Sequence, residues 1–354
     1  MVRPDAPFLA ACRGERADHV PVWFMRQAGR SLPEYREVRG PGSILDAIRD
    51  PERAAEITLQ PVRRYGVDAA VLFNDIVAPL AAIGAGVELT QGTGPTLEKP
   101  FRSVDDLARL RSLEPETDMP YVAETIRILV RELGDVPLIG FAGGPFTLAS
   151  YLIEGGPSRS HTKTKAMMYG DPALFTAILD RLADIAITFL RSQVAAGASA
   201  IQLFDSWAGA LTPSAYETFV LPASRRILSA LEDLDVPRIH FGVGTGTLLE
   251  LMAAAGADVV GVDWRVPLDD ARRRLGPDTA VQGNLDPGVC LAPWEVLATE
   301  ARDVLARNAG RPGHVFNLGH GVLPETDPDA LARLVDLVHA EGRTDGPHLT
   351  AGEG

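Results

Sequence analysis

Short apolar runs alternate with longer segments of helical periodicity along almost the whole chain. Most of the runs lack a strict alternation of apolar and polar positions, which is typical of parallel strands buried on both faces. Eight such units without a dividing linker predict an α/β fold, a single closed (β/α)8 TIM barrel, with a doubly wound open sheet as the competing architecture. The predicted strands span residues 22–25, 69–73, 138–142, 200–204, 238–243, 259–262, 280–283 and 315–318.

Four acidic or hydroxyl residues stand directly before a proline at the start of periodic segments. An Asp or Thr side chain caps exposed backbone N–H groups, and proline fits the first helical position. We therefore predict helix starts at Asp50-Pro51, Asp171-Pro172, Thr212-Pro213 and Asp327-Pro328.

The periodic pattern ends near residue 341. We predict one catalytic barrel domain over residues 1–341. Residues 342–354 are rich in Gly, Thr, Asp and Pro, and we predict a disordered tail there.

The bulk composition narrows the class of protein. The chain has 354 residues and a formal net charge of -13, which argues against general nucleic-acid binding. Cys12 and Cys290 are its only cysteines, too few for a disulfide framework. The N-terminus lacks the apolar core of a signal peptide, and Asn74 and Asp75 interrupt the most apolar window. We expect a cytoplasmic protein without membrane contact.

The first predicted strand ends in an unusual concentration of positive charge. Arg26 and Arg30 follow it four residues apart, and Arg36 and Arg39 come soon after. In an acidic chain, local guanidinium groups suit a polyanionic ligand, because each grips a carboxylate or phosphate with two hydrogen bonds. A salt-bridged helix start explains the same spacing equally well.

Polar residues collect after the predicted strands, where the active sites of such barrels lie. Asp75 interrupts an apolar segment, and an unpartnered buried carboxylate is costly, so it needs donors or a ligand. The residues concerned are Arg26, Arg30, Asp75, Tyr151, Asp205, Ser206, Asp263, Arg265, Asn284, Asp286 and His320.

Five segments resemble, in the same order, segments of the uroporphyrinogen decarboxylase family. They are residues 21–39 (PVWFMRQAGRSLPEYREVR), 72–79, 139–155 (IGFAGGPFTLASYLIEG), 202–209 and 317–322. The resemblance covers about residues 7–339. It implies a (β/α)8 barrel, typically a homodimer, that converts uroporphyrinogen III to coproporphyrinogen III in haem biosynthesis by removing carbon dioxide from four acetate groups.

The resemblance also implies roles for particular residues. Asp75 would accept hydrogen bonds from the pyrrole N–H groups, and Arg26 and Arg30 would hold the substrate's carboxylates. Tyr151 would donate to a reacting carboxylate, and Arg26 would deliver protons or position that carboxylate. The identity of the acid stays open. Without the resemblance, Asp75 could be a loop cap and Tyr151 a core aromatic residue.

Further substrate contacts are expected around these groups. Gln27, Ala28 and Gly29 would add backbone N–H donors. Ser206 and His320 would contact substrate, although a strand-end serine is often a cap and a lone histidine is often structural. Roles for Arg39 and for Phe204, as an apolar wall, stay open.

No metal or cofactor is expected, because a pyrrole protonated on a ring carbon can accept the electrons released with carbon dioxide. Many other decarboxylases rely on a cofactor for this step. Isomer preference and the order of the four decarboxylations cannot be derived from the sequence.

Two rival functions remain open. Zinc-dependent methylcobamide methyltransferases use a similar barrel but need a His-x-Cys pair, and the chain has Gly242 two residues after His240. A non-catalytic tetrapyrrole-binding protein is the other rival. Ser31 and Trp207 depart from the family's pattern without removing a proposed catalytic group. The glycine-rich residues 242–246 lack the nucleotide-binding spacings.

Overall fold

Seven parallel strands form a curved sheet, and an eighth extended segment joins its two edges into a barrel. The computed structural model describes residues 2–29, 31–90 and 94–343. The strands are β1 (Ala70–Val71), β2 (Val87–Thr90), β3 (Gly94–Leu97), β4 (Leu138–Gly143), β5 (Ala200–Phe204), β6 (Arg238–Phe241), β7 (Val259–Gly261), β8 (Ala280–Gln282) and β9 (His314–Val315). The barrel sheet pairs them in the order β1, β4, β5, β6, β7, β8, β9, each parallel to its neighbour.

The segment around Val22 closes the barrel. Val22 forms a parallel bridge with Phe316 after β9, and its carbonyl oxygen accepts a hydrogen bond of 2.8 Å from the Asp68 N–H before β1. Together with the sheet, this segment confirms the predicted (β/α)8 barrel.

The first predicted strand, 22–25, is paired less extensively than expected. The Phe24 N–H donates to the Gln27 side chain at 2.9 Å, and the Met25 N–H donates to the Asn317 side chain at 3.1 Å. Side-chain amides thus replace the carbonyl acceptors of a neighbouring strand, and the ladder ends after one bridge. The chain can then turn towards the cavity described below.

Helices surround the barrel. The four predicted helix starts are confirmed, since Asp50, Asp171, Thr212 and Asp327 each accept a backbone N–H of the first turn. The α-helices are α1 (Pro7–Cys12), α2 (Pro33–Arg39), α3 (Ile44–Ile48), α4 (Pro51–Tyr65), α5 (Ala78–Ala82), α6 (Pro115–Asp118), α7 (Pro120–Glu132), α8 (Pro145–Glu154), α9 (Thr162–Gly170), α10 (Pro172–Ala196), α11 (Pro213–Ala215), α12 (Leu221–Ser229), α13 (Leu249–Ala254), α14 (Leu268–Leu275), α15 (Trp294–Asn308) and α16 (Pro328–Glu341). Short 3-10 helices span Val104–Arg109, Ala208–Ala210, Glu232–Leu234 and Pro287–Leu291, and a π-helix spans Tyr216–Val220.

An antiparallel hairpin of β2 and β3 lies outside the barrel sheet. This hairpin was not predicted from the sequence. A stretch rich in Gly and Thr joins two short runs there, which is a usual hairpin signal. The hairpin matters because Leu89, Gly94 and Pro95 reach the cavity.

A polar layer crosses the barrel interior. The Trp23 indole donates to Gln282 at 3.0 Å, and the Gln282 amide donates to Gln202 at 3.1 Å. All three side chains are buried. Because buried polar groups are costly without partners, this chain of hydrogen bonds favours one arrangement of the three strand segments that carry them.

The described part of the chain ends just after α16. The Val20 N–H donates to the Gly342 carbonyl at 3.0 Å, which ties this end to the first barrel segment. Of the predicted tail, residues 344–354 lie outside the described residues. None of the described helices combines the length and apolarity that crossing a membrane requires.

Candidate active site

A cavity of about 700 Å³ opens where the barrel strands end. Six of the residues predicted for the site line it, namely Arg26, Ala28, Asp75, Tyr151, Ser206 and His320. Arg39 and Phe204, whose roles were left open, line it as well. Arg30 lies outside the described residues. The structure therefore brings together side chains that are far apart in the sequence.

Arg26 stands at the turn that follows the closing segment. Its φ of 60° lies in the left-handed region, which residues other than glycine seldom adopt. The Met25 carbonyl, just before it, accepts the Val322 N–H at 2.8 Å and so holds the turn. The aliphatic part of the Arg26 side chain passes Gly321 so closely that a Cβ atom there would lie 2.5 Å from Arg26 Cδ.

Asp75 is the only carboxylate among the described residues that line the cavity. Its carboxylate accepts the Val77 N–H at 3.0 Å, and its own N–H donates to the Asn74 side chain at 2.8 Å. Burial raises the pKa of Asp75, while the Val77 hydrogen bond and the charge of Arg26 act in the opposite direction. In this apolar setting, a hydrogen-bond donor of a ligand would strongly stabilise the ionised form of Asp75.

Tyr151 reaches the cavity from α8, the helix after β4. Burial is the main reason that the pKa of Tyr151 rises to about 12; the charge of Asp75 adds to the rise and Arg26 opposes it. The hydroxyl therefore stays protonated near neutral pH and can donate a hydrogen bond. Because the charges of Asp75 and Arg26 both act on the pKa of Tyr151, the three side chains form one electrostatic cluster.

An aromatic stack supports Tyr151 from behind. Its ring lies 4.2 Å from the Trp207 ring, and Trp207 lies 4.8 Å from the buried His161 ring, measured between centroids. Burial lowers the pKa of His161, so its ring is kept neutral beneath the indole. Trp207, which departs from the family's pattern, thus has a definite place beside the proposed catalytic tyrosine.

Gln27 and Gly29 lie behind the cavity surface. The Gln27 side chain is buried, accepts the Phe24 N–H and donates to the Ala69 carbonyl at 3.0 Å. Its backbone N–H already donates to the Phe24 carbonyl at 3.0 Å. The contacts of Gln27 shape the turn that presents Arg26 and Ala28.

His320 and Ser206 complete the polar lining on the other side. The His320 ring lies nearly parallel to the Phe241 ring, at 6.4 Å between centroids. Phe204 packs edge-on between Phe141 and Phe241, at 5.3 and 5.9 Å. This apolar wall suits the faces of an aromatic ligand, while the polar groups suit its rim.

Asp205, next to Ser206, is fully buried and supports the site from below. Its carboxylate accepts both the backbone N–H and the hydroxyl of Thr147, at 2.8 and 2.6 Å, and the Thr147 hydroxyl accepts the Trp207 N–H at 3.1 Å. Burial raises the pKa of Asp205 to about 6, against the hydrogen bonds from Thr147. These bonds fix the start of α8 relative to the end of β5, and so fix Tyr151 relative to Ser206.

Sequence reasoning missed several lining residues. Tyr35 of α2 packs against Phe73 at 5.9 Å, and Asn74 holds the Asp75 backbone. The adjacency of Asn74 to Asp75 was a usable signal. Tyr35 and the hairpin residues carry no such signal, because only the folded chain brings them to the cavity.

The cavity does not offer the ligand set of a thiolate zinc site. His240 lies in β6 with its ring nitrogen Nδ1 3.3 Å from the Met252 carbonyl, and burial lowers its pKa to about 4. Cys12 and Cys290 are both buried thiols. In residues 2–29, 31–90 and 94–343, neither cysteine belongs to a group of three metal-ligating side chains.

Comparisons with known proteins give the family context. The family described as uroporphyrinogen decarboxylase matches residues 3–341. A uroporphyrinogen decarboxylase of Streptomyces coelicolor is 63% identical over 337 residues, which is 95% of this chain and 95% of that protein. One of Salinispora tropica is 61% identical over 335 residues, with 95% and 90% covered.

A solved structure supports the fold. A methyltransferase from Methanosarcina mazei superposes with a TM-score of 0.76 at 21% identity, covering 96% of this chain and 99% of that one. At this identity the likeness concerns the barrel alone.

Proposed function

This chain belongs to the uroporphyrinogen decarboxylase family, and we propose that the cavity containing Asp75, Arg26 and Tyr151 is where it decarboxylates uroporphyrinogen. The reaction replaces four acetate groups by methyl groups and yields coproporphyrinogen, a step of haem biosynthesis. The observation that carries the assignment is one carboxylate, Asp75, facing an arginine-lined cavity with aromatic walls.

Asp75 is proposed to bind the centre of the macrocycle. A single acceptor can take hydrogen bonds from several pyrrole N–H groups, so it addresses all four rings alike. Its carboxylate is partly desolvated already, and the N–H donors of the substrate replace the missing water. Its negative charge then stabilises the positive charge that develops on the reacting pyrrole.

The chemistry proceeds by proton addition and loss. A proton adds to a ring carbon of the pyrrole, and the ring becomes cationic. The bond to the acetate carboxylate breaks, carbon dioxide leaves, and its electron pair enters the ring to form an exocyclic methylene. A second proton adds to that methylene, and the ring carbon releases its proton as aromaticity returns. The balance is one carboxylate and one proton converted to carbon dioxide and a methyl group.

The cationic and hydroxyl groups hold the substrate's carboxylates. Arg26 positions the reacting acetate or delivers the first proton, and Tyr151 donates a hydrogen bond to the same group. Its raised pKa keeps it a donor. Arg39, Ser206 and His320 also line the cavity, and they are proposed to hold the remaining acetates and propionates. Arg30, Gln27, Ala28 and Gly29 belong to the proposed binding segment by sequence.

The reaction is proposed to need no metal or cofactor, because the pyrrole itself accepts the electrons. We further propose a cytoplasmic homodimer without nucleic-acid or membrane partners. The family resemblance supports the homodimer, and the acidic composition supports the absence of a nucleic-acid partner. Sedimentation equilibrium at micromolar protein tests the dimer, and a monomeric mass would contradict it.

The decisive experiment is an anaerobic incubation of chelator-treated protein with reduced uroporphyrinogen III. Chromatography of the oxidised porphyrins should show seven-, six-, five- and then four-carboxylate products. Unchanged substrate that still binds would favour a non-catalytic tetrapyrrole-binding protein. If the protein neither converts nor binds uroporphyrinogen, the proposed function is wrong and the methyltransferase alternative is tested next.

A further inference from the structure

A second cluster of chemically active side chains lies at the opposite end of the barrel from the cavity. His19 precedes the closing segment, Asp68 precedes β1, and His339 belongs to the last turn of α16. His19 Nε2 lies 2.8 Å from one Asp68 carboxylate oxygen, and His339 Nε2 lies 2.7 Å from the other. One carboxylate thus faces two imidazoles.

From this geometry we propose that His19, Asp68 and His339 form a binding site for a divalent transition-metal ion of the zinc class. One ligand atom from each residue lies within 4.8 Å of the others. Imidazole nitrogen and carboxylate oxygen bind such ions at about 2.0–2.2 Å, so a small rotation of the rings brings all three into range. The group is unique in this respect within residues 2–29, 31–90 and 94–343.

The surroundings suit a metal site. The Val22 N–H donates to Asp68 at 2.6 Å and fixes the carboxylate, as outer hydrogen bonds orient ligands in known sites. The two rings pack edge to face at 4.3 Å between centroids, which holds both Nε2 atoms towards Asp68. The side chains of His19, Asp68 and His339 are 23%, 11% and 28% exposed, so an ion can enter from solvent and keep a water ligand.

The position indicates a structural role. β1 and β9 are only two residues long, and the segment between them is joined by one bridge from Val22 to Phe316 and one hydrogen bond from the Asp68 N–H to Val22. The ladder is therefore short at this seam. An ion held by His19, Asp68 and His339 would connect the closing segment, the start of β1 and the C-terminal helix. The decarboxylation described above does not involve it.

Two hydrogen bonds between neutral or charged imidazoles and the carboxylate explain the same distances without an ion. Glutamine separates the two explanations, because its amide N–H can still donate to Asp68 but is a poor metal ligand. His19→Gln and His339→Gln are therefore the test variants. His348→Gln, which removes an imidazole from the predicted tail, is the matched control.

The experiment titrates the chelator-treated full chain with Co²⁺, followed by its visible absorption, and then with Zn²⁺ by calorimetry. We expect one ion per chain in the wild type and in His348→Gln, and affinity at least about 100-fold lower in both cluster variants. The melting temperature should rise with Zn²⁺ in the first two proteins only, since a ligand of the folded state stabilises it. Decarboxylation rates of the wild type should be the same with and without Zn²⁺.

Equal affinity in the wild type and the cluster variants would overturn the proposal, as would no binding by the wild type. If a variant does not fold, X-ray absorption of the zinc-loaded wild type decides instead. Two imidazoles and oxygen ligands are expected around the ion, and a sulfur ligand or a single imidazole would refute the site.

Discussion

At the scale of single residues, the site depends on groups held in environments that disfavour their usual state. Burial beside apolar walls raises the pKa of Asp75, and Arg26 occupies a backbone conformation that few side chains tolerate. Such residues reduce the stability of the folded chain, and a bound ligand that interacts with them offsets that loss. The groups that serve function at these positions therefore reduce stability. Substitutions there should change activity and stability in opposite directions.

Asp75→Asn should reduce the turnover of uroporphyrinogen by about 100- to 1,000-fold, because the amide carries no negative charge for the cationic ring. The porphyrin chromatography assay measures the effect. Asp286→Asn is a matched control, since Asp286 also follows a barrel strand but does not line the cavity. Near-normal turnover in Asp75→Asn would refute the proposed role.

The same substitution should affect stability with a defined dependence on pH. The pKa of Asp75 is higher in the folded chain than the reference value of 3.8, so the ionised carboxyl destabilises the fold at pH values above its folded pKa. Asp75→Asn should therefore be more stable than the wild type at pH 8. The advantage should shrink as the pH falls through the raised pKa. Urea unfolding at both ends of this range measures it, and an advantage that grows in acid would contradict the assignment.

Gly321→Ala should impair catalysis by moving Arg26. The new Cβ atom would lie 2.5 Å from Arg26 Cδ, so the side chain must shift while its charge is kept. We expect kcat/KM to fall about tenfold or more, since small misplacements of a positioning group are costly. Gly170→Ala is the control, because nothing lies within 4 Å of its added Cβ atom. Equal kinetics in the two variants would mean that the position of Arg26 does not matter.

At the scale of elements, the junction of β5 with α8 determines the arrangement of the site. Asp205 at the end of the strand accepts two hydrogen bonds from Thr147 in the first turn of the helix, and Thr147 accepts one from Trp207. Because all of these groups are wholly or partly buried, a lost partner is not replaced by water at no cost. The junction therefore transmits a change in Thr147 to both Tyr151 and Ser206.

Thr147→Val should destabilise the fold by about 1–3 kcal/mol, since it removes the hydroxyl and leaves partners unpaired. Thr147→Ser keeps the hydroxyl and is the matched control. Guanidinium unfolding gives both free energies, and kinetic assays should show lower turnover in Thr147→Val from the displaced Tyr151. A valine variant as stable as the serine variant would show that these bonds contribute little.

At the scale of the whole molecule, closure of the barrel depends on both ends of the described chain. The Val20 N–H donates to the carbonyl of Gly342, and Arg302 binds Glu341 at the end of α16. Leu337 and Val338 on the same helix are buried. These contacts hold the end of α16 against the first barrel segment, and the domain limit at residue 341 stays a prediction.

Truncation after Arg343 should leave the melting temperature and the decarboxylation rate unchanged, because it removes only the predicted tail. Truncation after Asp336 is the contrasting variant. It removes Leu337 and Val338, and their lost burial should cost about 3–6 kcal/mol. Thermal unfolding compares the two. A large fall in the melting temperature on truncation after Arg343 would show that the tail contributes to the fold.

The sequence by itself determined the fold class, the helix starts and the strand ends where polar groups gather, because these depend on local periodicity and capping. It also placed Arg26, Asp75, Tyr151, Ser206 and His320 in one predicted site. Only the tertiary structure decided that the Gln27 side chain turns inwards, that Trp207 packs on Tyr151 and that the hairpin reaches the cavity. It alone brings His339 to Asp68, across 271 residues. Contacts at such separation depend on how the barrel closes, and no local pattern encodes that.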